Sequence, residues 1–183
     1  MEVSKDEYKQ LSMELNGSTC KPDTNVIEVD FFFDGLTKPG VVNNTIGSLV
    51  TSTNGEKIPR LNTLGVCLSH IDYARTRGLN PPHTHPRAIE MIFVLKGELD
   101  VRFITTANKL ISKHIKQGED FKNNQDKPAS VLLAFNNQLP SIQSKAMTLL
   151  ASTPVVPDHV LTKAFPVGTK EIDKIKTKFS SKS

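Results

Sequence analysis

Across its middle the chain runs in short stretches that alternate apolar with polar residues, broken roughly every ten residues by turn chemistry. That period-two pattern points to an all-β sandwich or barrel. Strands are expected at Val26–Phe33, Thr63–Tyr73, Ala88–Leu95, Glu98–Thr105, Lys109–Lys116, Ser130–Phe135 and Lys145–Leu150. Lys96-Gly97, Ala107-Asn108 and Gln117-Gly118 fall between them, and Gly and Asn accept the positive φ that hairpin turns require. Beyond Leu150 the period changes. Pro154 and Pro157 interrupt the chain, after which Val160, Leu161, Ala164 and Phe165 recur at helical spacing, as do Ile172, Ile175 and Phe179. Two short amphipathic helices must bury these faces, either on their own barrel or on a neighbouring subunit. The chain thus reads as an N-terminal extension over 1–25, a β-barrel over 26–152 and a helical segment with a Lys-rich tail over 153–183.

Composition narrows the function classes. At 183 residues the chain suits one domain, with enough surface buried to stand without disulfide staples. Its formal net charge is +4, most of it on five lysines within residues 169–183, so the body is nearly neutral. A basic excess confined to one end, with no row of interleaved aromatics, argues against nucleic-acid binding; weak attraction to an acidic polysaccharide is the partner such a tail suits. No run approaches the roughly 18 apolar residues of a membrane span. The N-terminus, Met1-Glu2-Val3-Ser4-Lys5-Asp6-Glu7-Tyr8-Lys9, does not read as a basic start followed by an apolar core, so no export signal is expected in it. Cys20 and Cys67 are expected to be unpaired thiols, and the sequons at Asn16 and Asn43 are candidate glycosylation sites in an exported protein.

Chemistry concentrates in Asn80-Pro81-Pro82-His83-Thr84-His85-Pro86-Arg87-Ala88-Ile89-Glu90. Alternate residues of a strand share a face, so His83 and His85 can present two imidazoles to one point, and Glu90 can add a carboxylate as the chain turns after Pro86. Imidazoles suit zinc, copper, iron or nickel; the carboxylate moves the balance toward manganese or iron, and three ligands leave coordination positions open. His-X-His alone is equally the signature of solvated histidines in a Pro-rich loop.

The wider spacing resembles the germin-like branch of the cupin family. Its first motif runs Gly, five residues, His-X-His, three or four residues, Glu, six residues, Gly, and His83, His85, Glu90 and Gly97 stand at those spacings. The segments 31–38, 61–66, 104–110 and 157–165 are also similar to germin-like sequence, and the resemblance extends from Asn16 to Phe179. It implies a cupin jelly-roll barrel with short C-terminal α-helices and a manganese site held by His83, His85 and Glu90. It further implies a secreted, apoplastic, defence-associated glycoprotein and a homo-oligomer, a hexamer in this family. Members oxidise oxalate or dismutate superoxide. Asn80 matches an asparagine near the metal of oxalate oxidases; by itself it reads as a turn residue ahead of two prolines.

Several departures are as informative. The family's second motif is Gly, five residues, Pro, four residues, His, three residues, Asn, and its His completes the metal set. Counting from Gly118, those Pro and His positions hold Asn124 and Ala129. The resemblance implies that a hairpin of about ten residues is missing between Phe121 and Lys122; removing two consecutive antiparallel strands keeps every later strand's direction, so the barrel can survive without it. The motif's leading Gly is Arg77, Arg60 replaces another family glycine, and Cys20 lacks the partner cysteine expected near Lys5. His114 is a remote substitute for the lost ligand, with His70 and His159 poorer still. Two functions follow: a germin-like cupin with a weakly occupied manganese site and no oxalate oxidation, or a manganese superoxide dismutase-type enzyme. No catalytic side chain beyond the ligands is assigned.

Overall fold

The computed structural model describes residues 14–15, 17–75, 78–117 and 127–180. In chain order its strands are β1 (Glu14–Leu15), β2 (Ser18–Thr19), β3 (Ser48–Thr53), β4 (Cys67–Tyr73), β5 (His83–Thr84), β6 (Glu90–Lys96), β7 (Glu98–Ile104), β8 (Leu110–Lys116), β9 (Ala129–Phe135) and β10 (Gln143–Ser144). Its α-helices are α1 (Lys145–Leu150), α2 (Asp158–Ala164) and α3 (Thr169–Ser180). The expected class, all-β with short C-terminal helices, holds. The chain forms two compact units: the described parts of Met1–Leu79 with Ile89–Leu139, and Asn80–Ala88 with the described parts of Pro140–Ser183.

The first unit is built on a four-stranded antiparallel sheet ordered β3-β4-β9-β6, with β7 and β8 forming a separate antiparallel ribbon. Alternation explains its core. Cys67, Ser69, Ile71 and Tyr73 lie on one face of β4, opposite Phe135, Leu133, Val131 and Ala129 of β9, and all eight are buried. β9 alternates buried with half-buried positions along its whole length, as a central strand does when both neighbours are present. Burial pushes the Tyr73 phenol up to about 12, with the charge of Glu90 adding to it, and burial likewise raises the Cys67 thiol.

In the second unit β5 and β10 make a two-residue antiparallel ladder, His83 opposite Ser144 and Thr84 opposite Gln143. α2 and α3 pack together, burying Leu161 and Ile172 to 1% exposure. The Lys176 ammonium ties the pair by bonding Asp158 and the Val156 carbonyl, and it holds the Asp158 carboxyl below the usual range. No helix among the described residues is long and apolar enough to cross a membrane.

Three expectations about elements need correction. Val26–Phe33 is not a strand: 3-10 turns occupy Asp23–Asn25 and Glu28–Phe31. The Asp30 carboxylate accepts the Ile27 N–H at 2.9 Å and the Lys21 ammonium at 2.8 Å, a local bond that competes with a strand ladder. Lys145–Leu150 is helix α1, which its Ala, Met and Leu favour. Lys96-Gly97 is a corner between two sheets and not a hairpin turn, because β6 pairs with β9 whereas β7 pairs with β8. Gly97 is required there: its φ is 76°, and an added Cβ would lie 3.1 Å from Ala129 and the Pro128 carbonyl. Ala107-Asn108 does close the β7–β8 hairpin, with Asn108 at φ 58°. β3, rich in Ser and Thr, was not expected as a strand; pairing with β4 recruits it. Gly118 lies outside the described residues, as do Asn16, Arg77, Asn124 and the junction at Phe121 and Lys122.

Candidate metal centre

Asn80 and Pro81 each precede a proline, which disfavours helical geometry at both positions as the chain approaches β5. The ladder to β10 then fixes His83, and the Lys145 N–H donates to the Pro82 carbonyl at 3.2 Å just before it. His83 and His85 are both half-buried, with ring centroids 4.9 Å apart and planes at 87°. Their Nε2 atoms are 3.2 Å apart. Glu90, also half-buried, opens β6 five residues after His85. Along this continuous run each of His83, His85 and Glu90 can offer one ligand atom, and these atoms lie within 4.8 Å of one another.

Hydrogen bonding dictates which nitrogens carry protons. His83 Nδ1 is 2.8 Å from the Pro81 carbonyl oxygen and His85 Nδ1 is 2.6 Å from the Ser141 carbonyl oxygen. A carbonyl only accepts, so both Nδ1 atoms must be donors, and a neutral imidazole then has only a lone pair at Nε2. Two lone pairs facing each other at 3.2 Å repel unless a positive charge, a proton or a metal ion, sits between them. The donor set therefore fits a divalent transition metal: two Nε2 lone pairs, each imidazole oriented by a carbonyl behind it, and a carboxylate close by.

The remaining histidines lie elsewhere. His114 on β8 faces β7, with Nδ1 2.8 Å from Asp100 Oδ1 and Nε2 3.3 Å from Glu98 Oε2. These contacts, Asp100's first, hold its pKa above the usual histidine value, so the suggested substitute ligand is a ribbon ion-pair residue. His70 is buried on β4, its Nε2 3.6 Å from Asp72 Oδ1, while Asp72 Oδ2 accepts the Gly40 N–H at 2.7 Å. His159 lies exposed on α2. The chain has only these five histidines, and Ala129 is a buried methyl on β9. Asn80 sits half-buried ahead of β5, and Asn43 is exposed beside a turn that the Asn44 side chain holds through the Gly47 N–H and the Ser48 carbonyl. Cys20 is free and exposed, Cys67 free and buried. What sequence reading missed is the Ser141 carbonyl: a backbone acceptor 56 residues from its histidine leaves no mark in side-chain chemistry.

The cupin family profile matches residues 34–173. Germin-like protein subfamily 2 member 4 of Arabidopsis thaliana is 60% identical over 181 residues, covering 93% of this chain and 82% of that protein. The rhicadhesin receptor of Pisum sativum is 56% identical over 178 residues, covering 92% and 82%. A solved oxalate oxidase in complex with the substrate analogue glycolate superposes with a TM-score of 0.85 at 36% identity, covering 97% of this chain and 94% of that one. The jelly-roll fold, the cluster between His83 and Glu90 and these matches agree that the chain belongs to the cupin family, in its germin-like branch.

Proposed function

We propose that this germin-like cupin binds a divalent metal, manganese, through His83, His85 and Glu90, three protein ligands where the family's two motifs imply four. The observation that carries this reading is the 3.2 Å approach of two Nε2 atoms whose rings both have Nδ1 on a carbonyl. Such a pair is stable around a cation and unfavourable without one. Bound manganese would supply a redox-active centre with open positions for a small oxygen species. The chain's own part is to hold both imidazoles with Nδ1 on a carbonyl and Nε2 toward the ion, to bring the Glu90 carboxylate beside them and to keep the site half-buried. Manganese stands at the weak end of the divalent series, so with no further imidazole to add, partial occupancy and no oxalate oxidation are expected.

Measuring bound metal in the purified protein and in His83→Ala tests this. Substoichiometric manganese that disappears in the variant is the expected result; no metal in either protein would refute the site. The proposed setting is the apoplast, with a role in plant defence, by kinship with germin-like proteins. Exposure of Asn43 in its sequon supports a glycan there. Protein from a plant secretory host should lose mass on endoglycosidase treatment, and Asn43→Gln should abolish that site's share; an unmodified Asn43 would count against passage through the secretory route.

A further inference from the structure

We infer that Ser141 is a positioning residue for the histidine pair: its left-handed backbone aims a carbonyl at His85 and so fixes the tautomer that leaves His85 Nε2 as a lone-pair donor. The inference deepens the metal-site reading and rests on it for its purpose, although the tautomer itself can be read without metal. Ser141 has φ 61°, a conformation uncommon for a residue with a Cβ. Its side chain does not account for this, because Ser141 is exposed. Its carbonyl does, since it accepts from His85 Nδ1 at 2.6 Å.

The surrounding segment holds the conformation in place. Two residues on, Gln143 and Ser144 pair with Thr84 and His83, and the next residue, Lys145, donates its N–H to the Pro82 carbonyl. Residues 141–145 are thus bound to residues 82–85 at successive points, with Ser141 at the end that meets His85. His83 differs. Its acceptor, the Pro81 carbonyl, lies only two residues back along the chain and needs no distant segment. Changing residue 141 should therefore disturb His85 and spare His83, an asymmetry that a general loss of stability would not produce.

The test uses the metal-free full chain labelled with nitrogen-15 at histidine, observed by long-range proton–nitrogen correlation above the histidine titration range, with cobalt(II) and manganese(II) titrations alongside. In the wild type His85 should appear as the Nδ1–H tautomer. Ser141→Gly, which accepts positive φ freely, should leave this unchanged. Ser141→Val, whose branched Cβ resists it, should shift His85 away from that tautomer, leave His83 as it was and weaken metal binding roughly 10–100-fold. An Nε2–H tautomer for His85 in the wild type would overturn the inference whether or not the valine variant folds. So would a folded Ser141→Val with unchanged tautomer and affinity. A tautomer that follows residue 141 in a protein binding neither metal would support the positioning role and refute the metal-site reading.

Discussion

Protonation of His114 strengthens two contacts at once, to Asp100 across the β7–β8 register and to Glu98 beside it, so this residue makes the ribbon's stability pH-dependent. Asp100 and then Glu98 raise its pKa above the ordinary 6.5. A raised folded value means the stabilisation is fully present below the unfolded value and is lost as pH rises through the folded one. Thermal unfolding followed across that window should show stability falling with pH, and His114→Ala should flatten that part of the profile. An unchanged slope in the variant would show that solvent screens the pair completely, as it does many exposed ones. Asp30 acts in the opposite sense: the Lys21 bond lowers its pKa, so its contribution is present above the unfolded value and lost as pH falls through the folded one. At the candidate site the closeness of His83, His85 and Glu90 was legible from their spacing, because alternate residues of an extended segment and a short turn suffice to bring them together. The carbonyls that orient the imidazoles were not, since every residue has one and only the fold aims it.

Strands with neighbours on both sides make the firmest element-scale predictions. Ile71 is 1% exposed at the centre of β4, with Val50 of β3 on one side and Val131 of β9 on the other. Ile71→Ala should cost about 2–5 kcal/mol in denaturant unfolding, because methyl groups are lost and the flanking strands cannot close the gap. Val50→Ala, on the sheet's edge strand and 41% exposed, should cost about 1 kcal/mol or less; equal costs would mean that β3 is covered by something else. The same contrast explains which elements could be read from the sequence. β4, β6 and β9 carry an apolar face that only a sheet buries, and their positions follow from it. β3 presents Ser and Thr, and it becomes a strand because the edge of β4 is there to pair with. Segment 28–31 also alternates, but the local hydrogen bond of its aspartate outweighs that pattern, and 145–150 is a run of helix formers with no alternation.

At the scale of the molecule the question is what covers the β6 side of the other face of the four-stranded sheet, since on β4 the His70 and Asp72 side chains of that face are already buried. Met91 and Phe93 on β6 are 68% and 66% exposed, and the register sets them beside Ala134 and Leu132 of β9, with Leu68 of β4 next in line. Ile89, just before the strand, is 70% exposed. A contiguous apolar surface across three strands is unusual on a monomer, and a flat sheet face is well suited to meet its own copy about a two-fold axis. We therefore propose a second copy of this chain as its partner. The full chain should sediment as a dimer or larger species, and Phe93→Glu should shift it toward monomer while far-ultraviolet circular dichroism stays native. Charge at a solvated position would change neither assembly nor stability, whereas charge at a buried interface must be desolvated or expelled. A wild-type chain that is monomeric at every concentration, or a Phe93→Glu variant that assembles as the wild type does, would mean that this face is left to solvent and that the subunits, if they associate, do so through another surface.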